Sequence, residues 1–355
     1  MKTKVLVVDD SAFMRKVISD LVNSSNKLEV VGTAKNGKDA IEKVKTLKPD
    51  VLTLDVEMPV MDGIAALEVI MKEMPMPVLM LSSITKEGAE ATIKSLELGA
   101  IDFITKPSSI FKVNTEDMQK ELVEKILVVA NVKYRKPRAV MERKKVEKPQ
   151  ARESLRARSR GNGHIDKIIA IGTSTGGPRA LQSVIPNIPG DINASIVIVQ
   201  HMPAGFTKSL AERMNTMSQL SVKEAEDGEF LKAGFAYIAP GDSHLRIVKS
   251  AKDYKIKLDK GELVSGHRPS VDAMMYSIAD MGIKNIIGVI MTGMGSDGAR
   301  GLENVKQMNR GYIIAQDEES CVVYGMPKST VDLGVVDKIV PLESIANEII
   351  KAMEV

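Results

Sequence analysis

Apolar residues along this chain gather in short runs, and the segments between those runs carry helical spacing. Residues 5–8, 30–32, 51–54, 78–81 and 103–105 read as short buried strands. Between them, residues 12–22, 37–47, 63–74 and 88–98 repeat their apolar positions with the period of an amphipathic helix. Alternation of this kind predicts a doubly wound parallel sheet with helices on both faces. It breaks off near residue 125 and resumes near residue 166, where 167–171, 194–200 and 286–291 again read as buried, mainly apolar strands. Such runs suit strands buried on both faces of a parallel sheet.

Ligands of doubly wound sheets sit beyond the carboxyl ends of the strands, so the polar residues there carry the first functional reading. In the N-terminal half these are Asp9 and Asp10, Asp55, Ser82 and Lys106, each following an apolar run. Carboxylates converging on one edge repel each other unless a cation lies between them, and hard oxygen donors at an open site suit Mg²⁺. A lysine nearby can pair with an added phosphoryl group, and a hydroxyl can hydrogen-bond to it. Each residue alone reads as a helix cap or a turn residue; together, in register, they read as a site.

In the C-terminal half the run 167–171 leads into Gly172-Thr173-Ser174-Thr175-Gly176, a G-x-S-x-G pattern. Glycines flanking a serine allow a sharp turn that leaves the hydroxyl clear, and Pro178 suits the first turn of a following helix. The free N–H groups of such a turn favour a developing oxyanion. By itself the pattern is also that of a plain turn or a phosphate cradle. The run 194–200 ends at His201, and 286–291 leads through a glycine-rich loop to Asp297. In a parallel sheet Ser174, His201 and Asp297 then meet at one edge, the topological condition for a nucleophile, its base and an orienting carboxylate. His244 and His267, in predicted loops, are alternative bases, and Asp242 and Asp272 are alternative carboxylates. Position directly after a strand favours His201. The order Ser, His, Asp differs from that of α/β-hydrolases, so the serine pattern does not imply that fold.

Composition adds the domain organisation. With 355 residues, 44% hydrophobic and 27% charged, the chain has the make-up of a globular protein of about two domains. Its net charge of +3 hides a strongly basic segment. Lys133, Arg135, Lys136, Arg138, Arg143, Lys144, Lys145, Lys148, Arg152, Arg156, Arg158 and Arg160 are opposed only by Glu142, Glu147 and Glu153. Few large apolar residues, with Pro137, Pro149, Gly161 and Gly163 as breakers, mark this segment and its neighbour His164 as a solvated tether between two domains. No apolar run approaches the ~18 residues of a membrane span, and the N-terminus lacks the form of a signal peptide. The single cysteine, Cys321, reads as a buried structural thiol in a reducing compartment. Aromatics are 3% of the chain and tryptophan is absent, which argues against a base-stacking nucleic-acid surface. The 21 methionines read as core filler.

The segments VLVVDDS, LTLDVEMPVMDG, LSS and TKP resemble the motifs of two-component receiver domains, over the whole first domain. GTSTGGP, QHMP, APGDSH, HRPSVD and TGMGSDGARG resemble those of the chemotaxis protein-glutamate methylesterases, the CheB family, through the whole second domain. The resemblance implies an α/β chain with a flavodoxin-like receiver at 1–125, a basic linker at 126–165 and a doubly wound, mostly parallel methylesterase domain at 166–355. It implies that Asp55 is the phosphoacceptor, that Asp9, Asp10, Asp55 and the backbone carbonyl of Glu57 hold Mg²⁺, and that Ser82, Lys106 and Phe103 sense the phosphoryl group. In the second domain it implies Ser174 as nucleophile, His201 as base and Asp297 as orienting carboxylate. The Met294 amide and Thr175 would support the oxyanion, and His267, Arg268 and Asp272 would shape a substrate groove. Thr173 stands where alanine is usual.

The reaction implied is hydrolysis of glutamyl methyl esters on chemoreceptors, releasing methanol without a cofactor, with deamidation of receptor glutamines as a weaker activity. The implied partners are a chemotaxis histidine kinase and the methylated cytoplasmic helices of chemoreceptors, in the cytoplasm and without nucleic acid. The unphosphorylated receiver is expected to cover the esterase cleft. A DNA-binding response regulator is the alternative, although the second domain shows no helix-turn-helix pattern.

Overall fold

A computed structural model describes residues 1–106, 116–132, 165, 167–251 and 253–354. The chain divides into two units, Met1–Met141 and Glu142–Val355, each with its own parallel sheet. Residues 133–164, which hold His164 and the basic run, lie outside the described residues.

The first unit runs β1 (Thr3–Val8), α1 (Ala12–Asn23), β2 (Leu28–Ala34), α2 (Gly37–Leu47), β3 (Val51–Asp55), α3 (Gly63–Glu73), β4 (Val78–Ser82), α4 (Lys86–Leu98), β5 (Asp102–Thr105) and α5 (Glu116–Ala130). Its strands lie in the order β2-β1-β3-β4-β5, all paired in parallel. The chain winds first to one side of β1 and then to the other, so a crevice opens between β1 and β3 at their carboxyl ends. Helices α1 and α5 pack together, as do α2, α3 and α4 in a row, and β3 and β4 are buried along their whole length. Short polar side chains start the helices: Ser11, Asn36, Asp62 and Thr85 each accept a first-turn amide. The expected domain boundary at 125 falls inside α5. Ile126 and Val129 are completely buried, so the helix continues the core past that point.

The second unit runs β6 (Lys167–Thr173), α6 (Gly177–Val184), β7 (Ala194–Gln200), α7 (Phe206–Met217), β8 (Ser221–Glu224), β9 (Phe235–Ile238), β10 (His244–Ser250), β11 (Asp253–Asp259), α8 (Val271–Ala279), β12 (Ile286–Ile290), α9 (Ala299–Asn309), β13 (Tyr312–Gln316), α10 (Met326–Asp332), β14 (Lys338–Val340) and α11 (Ile345–Met353). Seven strands form one parallel sheet in the order β14-β13-β12-β6-β7-β9-β8. The winding reverses between β6 and β12, which makes the carboxyl ends of those strands and of β7 the place for a site. One face of the sheet, with Ile168, Ala170, Val197 and Val199, packs on Val271, Met274 and Ile278 of α8 and on Leu302 and Val305 of α9. The intervening Ile169, Ile171, Ile196 and Ile198 are completely buried on the other face. That double burial is why the central stretches of these strands, 168–171 and 196–199, are apolar on both faces.

The antiparallel hairpin β10–β11 stands apart from the main sheet. His244, expected in a loop, is instead the first residue of β10 and completely buried. Leu245 and Ile247 alternate with Arg246 and Val248 there, so every second side chain enters the core. No helix among the described residues is long and apolar enough to cross a membrane.

Candidate functional site

In the first unit, Asp9 and Asp10 leave β1, and Asp55 is the last residue of the adjacent β3. Each offers a carboxylate oxygen within 4.8 Å of the others. Asp9 and Asp55 are buried while Asp10 is exposed, so the cluster is open on one side. Lys106 Nζ lies 2.8 Å from Asp9 Oδ2 and 2.5 Å from Asp55 Oδ2. Neither oxygen has a partner with hydrogen-bond geometry. A single ammonium among these carboxylates leaves excess negative charge on hard oxygen donors, which fits a divalent cation such as Mg²⁺. Burial raises the Asp55 carboxyl to about 6, against the pull of Lys106 and with a further push from Asp9. Burial also opposes the charge on Lys106, but its contacts with Asp55 and Asp9 outweigh that and hold the ammonium above its ordinary value.

The neighbours of this cluster are also placed. Glu57 lies just past β3, and its amide donates to Asp55 Oδ1 at 3.3 Å. Ser82 is completely buried, its hydroxyl within reach of the Ser83 and Gly88 carbonyls at 3.2 and 3.1 Å. Phe103 is buried on β5, with Lys125 Nζ 5.7 Å from its ring centroid. At Gly63 a Cβ would overlap the carbonyl oxygen of Asp55. Glycine therefore lets α3 start this close to β3.

In the second unit, Ser174 occupies the turn between β6 and α6. Its amide donates to the Thr292 carbonyl at 3.0 Å, and its own carbonyl accepts from Gly177 at 2.7 Å. Gly176 adopts φ 77°, the left-handed conformation that glycine takes without strain. Ser174 is half-buried between the buried Thr173 and Thr175. The Thr173 hydroxyl donates to the Thr292 carbonyl at 3.0 Å, which satisfies it in place of the usual alanine. Gly293 abuts the turn: a Cβ there would lie 2.8 Å from Ser174 Cβ. Met294 follows it, half-buried.

His201 leaves β7, the neighbour of β6, and its Nε2 lies 2.8 Å from Asp297 Oδ2. Its Nδ1 is buried without a hydrogen-bond partner, so the Ser174 hydroxyl does not reach it with bonding geometry in this structure. Asp297 is 2% exposed and fully engaged. Besides His201, Oδ2 accepts from the Val271 amide at 2.7 Å, and Oδ1 accepts from the Ser270 hydroxyl at 2.8 Å and the Asp272 amide at 2.9 Å. These donors lie at the start of α8, where a helix favours negative charge. Burial alone pushes the Asp297 carboxyl up, but His201 and the two amides together outweigh it and hold it below 3.8.

The expected groove residues divide. His267 stacks on His201. Arg268 is tied by Nε and Nη2 to Asp242 at 3.0 and 2.6 Å and by Nη1 to the Lys260 and Gly261 carbonyls. Asp272 does not open onto a groove: it is 3% exposed, with its oxygens taken by the Gly301 amide at 2.7 Å and the Ser265 hydroxyl at 2.8 Å. Burial, with the charge of Asp297 adding to it, holds its carboxyl above the ordinary range despite those bonds.

Two residues in this framework escaped the sequence reading. Ser270 caps α8 and bonds Asp297; a serine just ahead of an apolar helical stretch was the available signal. Gln200 Nε2 spans the carbonyls of Ser174 and His201 at 3.0 and 3.1 Å. It is the last residue of a buried strand, and nothing in its sequence context marks it.

The sequence model of the CheB methylesterase family matches residues 169–349, and that of the response regulator receiver domain matches 5–116. A protein-glutamate methylesterase/protein-glutamine glutaminase of Halalkalibacterium halodurans is 49% identical over 353 residues, 99% of this chain and 98% of that protein. One of the same name from Pyrococcus horikoshii is 46% identical over 354 residues, 100% of this chain and 94% of the other. The crystal structure of the Thermotoga maritima CheB methylesterase catalytic domain aligns with a TM-score of 0.51 at 48% identity, over 53% of this chain and 97% of that one. These likenesses displace the DNA-binding alternative for the second unit. The chain belongs to the CheB methylesterase family, hydrolases that here carry an N-terminal response regulator receiver domain.

Proposed function

We propose that this chain demethylates glutamyl methyl esters of chemoreceptors in the cytoplasm, under control of phosphorylation at Asp55. The observation that carries the reading is the His201–Asp297 bond of 2.8 Å at the strand edge where Ser174 also stands. Ser174 Oγ attacks the ester carbonyl carbon. His201 Nδ1, which has no partner of its own, takes the Ser174 proton and returns it to the leaving methoxide, which departs as methanol. Asp297 holds the ring through Nε2 and stabilises its charged form. The Met294 amide, which has no acceptor among the described residues, supports the oxyanion together with Thr175. One such donor is worth roughly 10²–10³ in rate in other hydrolases. Water then attacks the acyl-enzyme, freeing Ser174 and leaving glutamate. The names of the relatives carry a glutaminase activity as well. The same route converts a glutamine to glutamate and ammonia, more slowly because the amide is the harder substrate.

In the receiver, Asp9, Asp10, Asp55 and the Glu57 carbonyl would hold Mg²⁺, which supplies positive charge against the phosphoryl oxygens when bound. Asp55 takes the phosphoryl group from a chemotaxis histidine kinase. Lys106 then pairs with that group instead of the bare carboxylates, the Ser82 hydroxyl turns toward it, and Phe103 responds to both. The test is methanol release from a methylated chemoreceptor fragment. Release by the wild type and none by a folded Ser174→Ala variant is expected. Equal release by both would remove Ser174 from the reaction, and release by neither, with a phosphodonor and Mg²⁺ present, would remove the esterase reading.

A further inference from the structure

We propose that His267 is a positioning residue for the esterase reaction, its ring stacked on His201 to fix the plane of the base; this rests on His201 serving as that base. The two imidazoles lie face to face, with centroids 3.9 Å apart and planes 16° from parallel. The His201 ring is bonded at Nε2 alone, to Asp297, while Nδ1 has no partner. A single hydrogen bond leaves an imidazole free to tilt about that bond, and tilting would swing Nδ1 away from the nucleophile. A flat ring at van der Waals distance over one face removes that freedom.

The mounting of His267 supports this role. Val264 and His267 exchange backbone hydrogen bonds at 3.2 and 3.0 Å across a two-residue turn. Ser265 and Gly266, at φ 52° and 79°, give that turn the left-handed pair of residues a tight hairpin requires. The Ser265 hydroxyl donates to Asp272 at 2.8 Å, and the Asp272 amide donates to Asp297 at 2.9 Å. Both rings are therefore referenced to one carboxylate, His201 directly and His267 through Ser265 and Asp272. The buried Asp272 thereby finds its use. The chain entering the turn is held by His244 Nε2, 2.9 Å from the Glu262 carbonyl, and the chain leaving it by Arg268 on Asp242. A segment tied at entry, tip and exit presents its ring in a fixed pose.

The test uses the full chain, a methylated receptor fragment and a phosphodonor. His267→Ala is expected to lower kcat by about 10- to 100-fold with KM within about twofold, since a base misplaced by about 1 Å costs up to ~10²-fold. His267→Phe, which keeps a flat ring, is expected to restore kcat to within about threefold of wild type. Ser265→Ala should show a smaller loss in kcat, again without a change in KM. If His267→Ala does not fold, His267→Gln takes its place against His267→Phe. Unchanged kcat, a change in KM alone, or equal loss in the Ala and Phe variants would overturn the proposal. A His201→Ala control separates the two levels. Activity in that variant removes the underlying reading, whereas an inactive His201→Ala beside a fully active His267→Ala removes the stacking role alone.

Discussion

Asp297 shows how a buried charge is kept. Its four hydrogen bonds, from His201, Val271, Ser270 and Asp272, offset the loss of hydration. Because the folded carboxyl is held below its ordinary 3.8, its ionised form stabilises the fold. That contribution is fully present above 3.8 and is lost as pH falls through the lower folded value. Asp272 has the opposite sign: its raised carboxyl costs stability above its folded value, and the cost vanishes below 3.8. Asp297→Asn, which turns an NH₂ toward donors, should destabilise the second unit at pH 7 by about 2 kcal/mol, roughly 4–8 °C in melting temperature. The gap to wild type should narrow in acid; an equal gap at pH 7 and well below 3.8 would count against this account. Cys321 departs from its expectation, being half-buried rather than buried. Burial, with Asp317 and Glu318 adding to it, still pushes its thiol up to about 12, so little reactive thiolate forms.

Among the elements, the start of α3 and the start of α8 do the most to shape the two sites. Gly63 lets α3 begin against the carbonyl of Asp55, and Ser270 turns the first turn of α8 toward Asp297. Gly63→Ala would force backbone apart at β3, since the overlap is with a carbonyl and not a flexible side chain. We expect it to reduce phosphorylation of Asp55 by at least about tenfold, the scale of misplaced reacting groups. Labelling from a small phosphodonor measures this, and wild-type labelling in a folded Gly63→Ala would contradict it. The strands β3, β4, β6, β7 and β12 were legible because double burial leaves them mostly apolar, with polar residues chiefly at their ends. The short edge strands β8 and β14 were not, because partial exposure mixes their residues. The β10–β11 hairpin carried a period-two signal that a search for unbroken apolar runs passes over.

The whole chain joins two units, each with a site at the switch point of its own sheet. Coupling between them is a free-energy question, and a coupling of about 1–3 kcal/mol changes activity roughly 5- to 150-fold. We expect Asp55→Asn to abolish the response of methanol release to a phosphodonor. The fragment 166–355 should release methanol without one. A phosphodonor response in Asp55→Asn, or a folded but inactive fragment, would rule out control of the esterase by release from the receiver. What the sequence determined by itself was the fold class and the polar residues at strand ends, because parallel topology carries every strand's last residue to one edge. Only the tertiary structure decided which of those residues meet. It bonded His201 rather than His244 to Asp297, withdrew Asp272 into the interior, and laid His267 over His201. Those choices depend on side-chain directions and on hydrogen bonds between residues far apart in the chain, which no local pattern of apolar and polar positions encodes.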